Sequence, residues 1–110
     1  MKSLDELQKQ VGTLDSEFNF NWSLYVRYIH LVEEVGELGE ALTVQQKDRK
    51  PGSGTSALAD HVNIEEELGD VLFALLDLAN HLHLNAEQSL TNTFKRYEQK
   101  LHNLQVANKK

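Results

Sequence analysis

Apolar residues recur at three- and four-residue intervals along nearly the whole chain, and almost all of it reads as helix. Ser3 followed by Glu6 is a capping-box pattern, and Leu4, Leu7 and Val11 continue at helical spacing. This predicts a first helix over residues 3–12, with Gly12 able to end it. Residues 13–21 then read as a polar connection that turns Phe18 and Phe20 inward. A second helix is expected over residues 22–46, where Leu24, Leu31, Val35, Leu38 and Leu42 share one stripe with Tyr28 on its flank. Residues 47–60 carry Pro51, Gly52, Ser53 and Gly54 and form the clearest loop. A third helix is expected over residues 61–82. Its centre, residues 71–76, is apolar all round and must therefore be covered all round. So short a chain can hardly surround it alone, so a partner subunit is expected to complete the core. Asn85 with Gln88 repeats the capping pattern and opens a fourth helix. That helix is expected to reach Leu104, with Leu90, Phe94, Tyr97, Leu101 and Leu104 inward and residues 105–110 frayed. The fold class is all-α: a bundle of four main helices completed by oligomerisation.

Composition narrows the function. A chain of 110 residues fits one domain, over residues 1–110 with a core at about 22–104. The absence of cysteine excludes disulfides, cysteine–zinc sites and thiol catalysis. The longest apolar run is far too short to span a bilayer, and the first residues contain no apolar signal core. A cytoplasmic protein with no membrane partner is the expectation. The net charge of −6 argues against a nucleic-acid polymer as partner. The acids are also clustered: nine of the 17 lie in residues 33–40 and 65–77. Like charges so close repel, and a bound dication would relieve them; a solvated acidic face is the simpler alternative.

The clusters contain two spaced pairs. Glu34 and Glu37 lie three apart on the second helix, and Glu67 and Asp70 three apart on the third. Such residues are neighbours on a helix surface, so each pair presents two carboxylates side by side. With the helices antiparallel, the four carboxylates can face one another. An all-oxygen set suits a hard cation, Mg²⁺ or Mn²⁺, rather than zinc. A carboxylate-bridged di-iron site is excluded, because none of the five histidines has an acid three residues before it. Asp77 and His81 continue the acidic stripe of the third helix. They read either as support for the site or as an ordinary i, i+4 ion pair. His30, one turn before Glu34, reads as solvated or as a substrate contact.

At these residues the chain resembles a known family. Residues 31–42, Leu-Val-Glu-Glu-Val-Gly-Glu-Leu-Gly-Glu-Ala-Leu, are followed by residues 66–72, Glu-Glu-Leu-Gly-Asp-Val-Leu. Together they resemble the MazG-like branch of the all-α nucleoside triphosphate pyrophosphohydrolases, with its E-E-x-x-E and E-x-x-D segments. The resemblance spans residues 22–97. It implies Mg²⁺-dependent hydrolysis of a nucleoside triphosphate between the α and β phosphates, giving a monophosphate and pyrophosphate, with housecleaning of non-canonical nucleotides as one role. It implies metal ligands at Glu34, Glu37, Glu67 and Asp70. Glu33 matches the additional acid and either orients a water or is solvated. Asn92, Lys95, Arg96 and Tyr97 resemble a segment that holds phosphate and sugar, although Thr93 stands where relatives often carry a basic residue. Trp22 could stack on a base, or belong to the core. The resemblance also implies a homodimer or homotetramer. Two other readings stand beside this one: a related pyrophosphohydrolase acting on another nucleotide such as phosphoribosyl-ATP, and a non-catalytic helical module that binds a protein through its acidic face.

Overall fold

The computed structural model describes residues 1–45 and 63–109, which form four α-helices and no strand. These are α1 (Leu4–Phe18), α2 (Leu24–Gln45), α3 (Ile64–His81) and α4 (Ala86–Asn108). The expected loop at 47–60 and the expected start of the third helix at His61 lie outside the described residues.

Local chemistry accounts for the helix starts. Ser3 Oγ accepts from the Glu6 N–H at 3.1 Å, and Glu6 Oε1 accepts from the Ser3 N–H at 3.2 Å, closing the capping box. Asn63 and Asn85 cap α3 and α4, accepting from the Glu66 and Gln88 N–H groups at 3.0 and 2.8 Å. Ser23 Oγ accepts from the Val26 N–H at 3.3 Å and so opens α2.

Gly12 does not end α1, contrary to the sequence expectation. Leu14 and Phe18 extend the Leu7–Val11 stripe, and the helix runs on until Asn19 adopts the left-handed conformation at φ 50°. Gly12 instead allows close approach: a Cβ there would lie 3.3 Å from Asn80 Nδ2. Phe18 faces outward rather than inward, whereas Phe20 is half-buried against Trp22.

Packing inside the chain is more polar than the stripes suggest. Among the described residues the buried apolar set is Val11, Ala41, Ala74 and Leu76, and an equal number of polar residues, Gln8, Arg27, Glu67 and Asp77, is buried with them. The most buried line of α2 is Arg27 and Ala41 with half-buried Glu34 between them; of the expected leucine stripe Leu31 and Leu38 are half-buried beside that line, whereas Leu24, Val35 and Leu42 stay exposed. Ala41 and Ala74, both almost fully buried, let the two backbones approach. Arg27 against Asp77 and Glu34 against Asp70 show that the helices run antiparallel.

Charge pairing ties the three helices together at one end. Arg27 NH1 donates to both Asp77 oxygens at 2.7 and 2.8 Å and lies 3.5 Å from Asp15 of α1. His81 Nε2 lies 2.8 Å from Asp15 and 3.9 Å from Asp77. Asp77 is therefore Arg27's partner more than His81's. Burial alone would raise the Asp15 pKa, but the His81 hydrogen bond and the Arg27 charge outweigh it and hold the carboxyl below its usual value. Asp15 thus stabilises the fold above pH ~4, and that stabilisation is lost as pH falls through its lowered pKa.

The fourth helix departs from expectation most. Its start is fastened to α1: the Ala86 N–H donates to Gln8 Oε1 at 2.8 Å, and Asn85 Nδ2 donates to Asp5 at 2.9 Å. Beyond its first turns it has no buried residue. Leu90, Phe94, Tyr97, Leu101 and Leu104, expected inward, are 52–66% exposed. The tail does not fray at 105, because the helix continues to Asn108. On α3, Leu68, Leu72 and Leu75 are also nearly half exposed. The radius of gyration is 17.9 Å, against about 13 Å for a compact chain of this length. No described helix is long and apolar enough to cross a membrane.

Removing Arg27 would leave Asp77 charged and buried without its partner. Arg27→Ala is expected to lower unfolding stability by about 3–5 kcal/mol, while Lys9→Ala, at the exposed pair with Asp5, changes it by less than about 1 kcal/mol. Urea denaturation at pH 7 measures both.

Candidate metal centre

Two antiparallel helices bring carboxylates of different segments to one place. Glu34 of α2 and Glu67 and Asp70 of α3 each offer an oxygen, and the three oxygens lie within 4.8 Å of one another. Glu67 is buried, Glu34 half-buried and Asp70 exposed, so the cluster opens from the helix interface to solvent. Glu37, one turn on from Glu34, is half-buried and close enough to raise the Glu34 pKa.

The electrostatics show the crowding. Burial raises the Glu34 pKa, the hydrogen bond and charge of Glu37 raise it further, and Asp70 adds to the rise; only His30 opposes it. Glu34 Oε2 is buried with no hydrogen-bond partner among the described residues. Burying a carboxylate oxygen without a partner is costly unless a cation takes that role. The donor set is all oxygen and fits a hard divalent ion such as Mg²⁺. A second trio, Asp15, Asp77 and His81, has the same compactness, but Arg27 already lies against both of its carboxylates.

The other candidate residues are dispersed. Glu33 is exposed on α2 beside Glu34. Asn92, Lys95, Arg96 and Tyr97 lie on the exposed part of α4, beyond the start where that helix is fastened to α1. Asn92 accepts from Gln88 at 2.9 Å, and Arg96 donates to Thr93 at 2.9 Å. Trp22 is part-exposed and stacks on Phe20 with ring centres 5.5 Å apart. The edge of its indole meets the His30 ring at 5.2 Å, and His30 Nε2 lies 3.0 Å from Glu34 Oε1. His30 is thus not simply solvated. Arg27 is the residue that reading the sequence missed. Its signal was its position seven residues before Glu34, on the same helical face.

Fold and site together define an all-α protein with carboxylates gathered between two antiparallel helices. Residues 25–105 match the MazG nucleotide pyrophosphohydrolase domain family. The chain is 33% identical over 89 residues to the uncharacterized protein YpjD of Bacillus subtilis (strain 168), covering 80% of this chain and 77% of YpjD. The crystal structure of YpjD superposes with a TM-score of 0.74 at 26% identity, covering 88% of this chain and 94% of YpjD. The crystal structure of a Bacillus-conserved MazG protein, a nucleotide pyrophosphohydrolase, superposes with a TM-score of 0.70 at 26% identity, covering 88% of this chain and 90% of that one. The chain belongs to the MazG nucleotide pyrophosphohydrolase family and so to the hydrolases.

A carboxyl whose pKa is raised by folding weakens the fold at any pH where it is charged. In metal-free protein, Glu34→Gln is therefore expected to raise the urea midpoint at pH 7. The gain should shrink as pH falls below about 4, where the wild-type carboxyl is protonated in both states. Denaturation in chelator at the two pH values checks it.

Proposed function

We propose that this protein hydrolyses a nucleoside triphosphate between its α and β phosphates, releasing a nucleoside monophosphate and pyrophosphate, with Mg²⁺ as cofactor and Mn²⁺ as a substitute. The observation that carries this reading is the convergence of Glu34, Glu67 and Asp70, with a buried Glu34 oxygen that no described residue satisfies. Glu34, Glu37, Glu67 and Asp70 hold the cation. A dication held by these residues would supply neutralisation of phosphate charge and activation of water. Glu33, exposed next to Glu34, orients the attacking water toward the α phosphorus, and pyrophosphate leaves. Trp22 offers an aromatic face to the base. Lys95 and Arg96 take up phosphate charge, Arg96 through its planar fork, with Asn92 and Tyr97 beside them.

The α4 residues reach such a substrate only if another copy supplies them or packs α4 differently, and we propose a homodimer or homotetramer. The support is the exposed apolar row on α4, the half-exposed leucines of α3 and the large radius of gyration. A groove between α1 and α3, about 600 Å³ and lined by Leu7, Val11, Leu14, Leu72, Phe73 and Leu76, offers an apolar surface of the kind that subunits bury. A cytoplasmic setting, with free nucleotides as substrates, agrees with the lack of a membrane-spanning helix among the described residues.

The direct test is pyrophosphate release from a panel of canonical and modified dNTPs and NTPs and phosphoribosyl-ATP, with Mg²⁺ and with chelator. Metal-dependent release is expected from one or a few of them. Glu37→Ala and Asp70→Ala should each lose more than the about 10–100-fold that changes around a metal's ligands cost. Folded protein that releases none from any nucleotide overturns the reading.

Association is tested separately. Sedimentation equilibrium should give a multiple of the 12.5 kDa chain mass. Phe94→Glu combined with Leu101→Glu should return the protein toward monomer, because charges on an apolar interface are costly to bury.

A further inference from the structure

One neighbour of the carboxylates stands outside the set proposed to hold the cation. His30 sits one turn before Glu34 on α2, and its Nε2 lies 3.0 Å from Glu34 Oε1. An i, i+4 pair of this kind is ordinary on an exposed helix and contributes only a few tenths of a kcal/mol there. This pair is not exposed in that way. The Glu34 side chain is 14% accessible and that of His30 29%. The edge of Trp22 meets the imidazole at an interplanar angle of 70°, which limits how the ring can turn. Trp22 is itself restrained: Phe20 stacks on it, and its carbonyl accepts from Arg27 Nε at 3.0 Å. The same arginine neutralises Asp77 and Asp15. A line of contacts therefore runs from the buried charge cluster through Trp22 and His30 to one oxygen of Glu34. The other oxygen, Oε2, is the buried one with no hydrogen-bond partner among the described residues.

We propose that His30 is a positioning residue for the cation site: held against Trp22, it keeps Nε2 3.0 Å from Glu34 Oε1, and this polar contact fixes the carboxylate with Oε2 available as the ligand oxygen. This rests on the cation reading of Glu34, Glu67 and Asp70 above. A carboxylate held this way loses less rotational freedom on binding a cation, and donors that orient ligand side chains affect metal affinity by about 10–100-fold. The contact also makes the site visible. Trp22 is the chain's single tryptophan, so intrinsic fluorescence comes from the residue that touches His30.

The test uses the full chain and Mn²⁺, followed by titration calorimetry without nucleotide, with Mg²⁺ titrations read by tryptophan fluorescence. His30→Phe keeps a ring against Trp22 and removes the ring nitrogen that faces Glu34. It is expected to weaken Mn²⁺ binding by about 10–100-fold with unchanged far-UV circular dichroism. His30→Gln places an amide nitrogen at similar reach and is expected to recover most of the affinity. Mg²⁺ should change Trp22 fluorescence in wild type and not in His30→Phe. Glu67→Gln, which removes a proposed ligand, should weaken binding in either background. Wild-type Mn²⁺ affinity in His30→Phe, with binding still lost in Glu67→Gln, overturns the positioning role and leaves the cation site standing. Absence of Mn²⁺ binding by the wild type overturns both.

Discussion

The interface between α2 and α3 is built around charge, and the rest of the structure follows from how that charge is balanced. Seven-residue steps along α2 place Arg27, Glu34 and Ala41 on one face, opposite Asp77, Asp70 and Glu67 of an antiparallel α3. At the Arg27 end the balance is complete within the chain: one guanidinium satisfies Asp77, approaches Asp15 and ties in the Trp22 carbonyl. At the Glu34 end the described residues bring carboxylates together and supply His30 alone as a positively polarised neighbour on Glu34. The asymmetry separates an arginine-paired end from a carboxylate-rich end on one helix pair. A buried pair holds a fold when both partners are present, and carboxylates brought together without a cation between them repel.

This arrangement carries a cost that helps explain the form of the chain. A helix interface given over to carboxylates buries little apolar surface, and only four apolar residues among those described are buried. The leucines and aromatics that would form a core elsewhere are turned outward on α3 and α4. Hydrophobic burial is the main favourable term in folding, so such surface calls for a cover. The proposed association would supply that cover and bring the basic and polar residues of α4 toward carboxylates they do not approach within one chain. Stability and substrate binding would then depend on the same contact between subunits.

The structure also gives roles to residues that composition left ambiguous. Gly12 allows α1 to sit against Asn80, whose side chain exchanges hydrogen bonds with Gln8 in both directions. Gln8 in turn anchors the first residue of α4 and the Leu84 carbonyl. The turn between α3 and α4 is thereby fixed to α1, and the direction in which α4 leaves the other helices is set by a polar cluster rather than by apolar packing. The long helix projects because its fastening lies at its start.

Much of this was legible along the chain. Helix content, two of the helix starts and the carboxylate pairs at Glu34–Glu37 and Glu67–Asp70 are consequences of local spacing, because capping and i, i+3 neighbourhood involve residues within a single turn. The paired motifs also carried the family resemblance that the match over residues 25–105 bears out. What local spacing cannot express is which residues of different helices meet. The length of α1 past Gly12 depended on contact with α3, the partner of Asp77 proved to be Arg27 fifty residues away rather than His81 four away, and the Trp22–His30–Glu34 line needed the entry to α2 to fold back onto its own helix. The apolar stripe of α4 was read correctly as a stripe, but its destination was not, because a periodic pattern records that a face is apolar and not which surface covers it. The sequence alone determined the helices and the carboxylates they present; tertiary structure alone decided which of those carboxylates meet an arginine and which meet one another, because that choice is made by distances between segments.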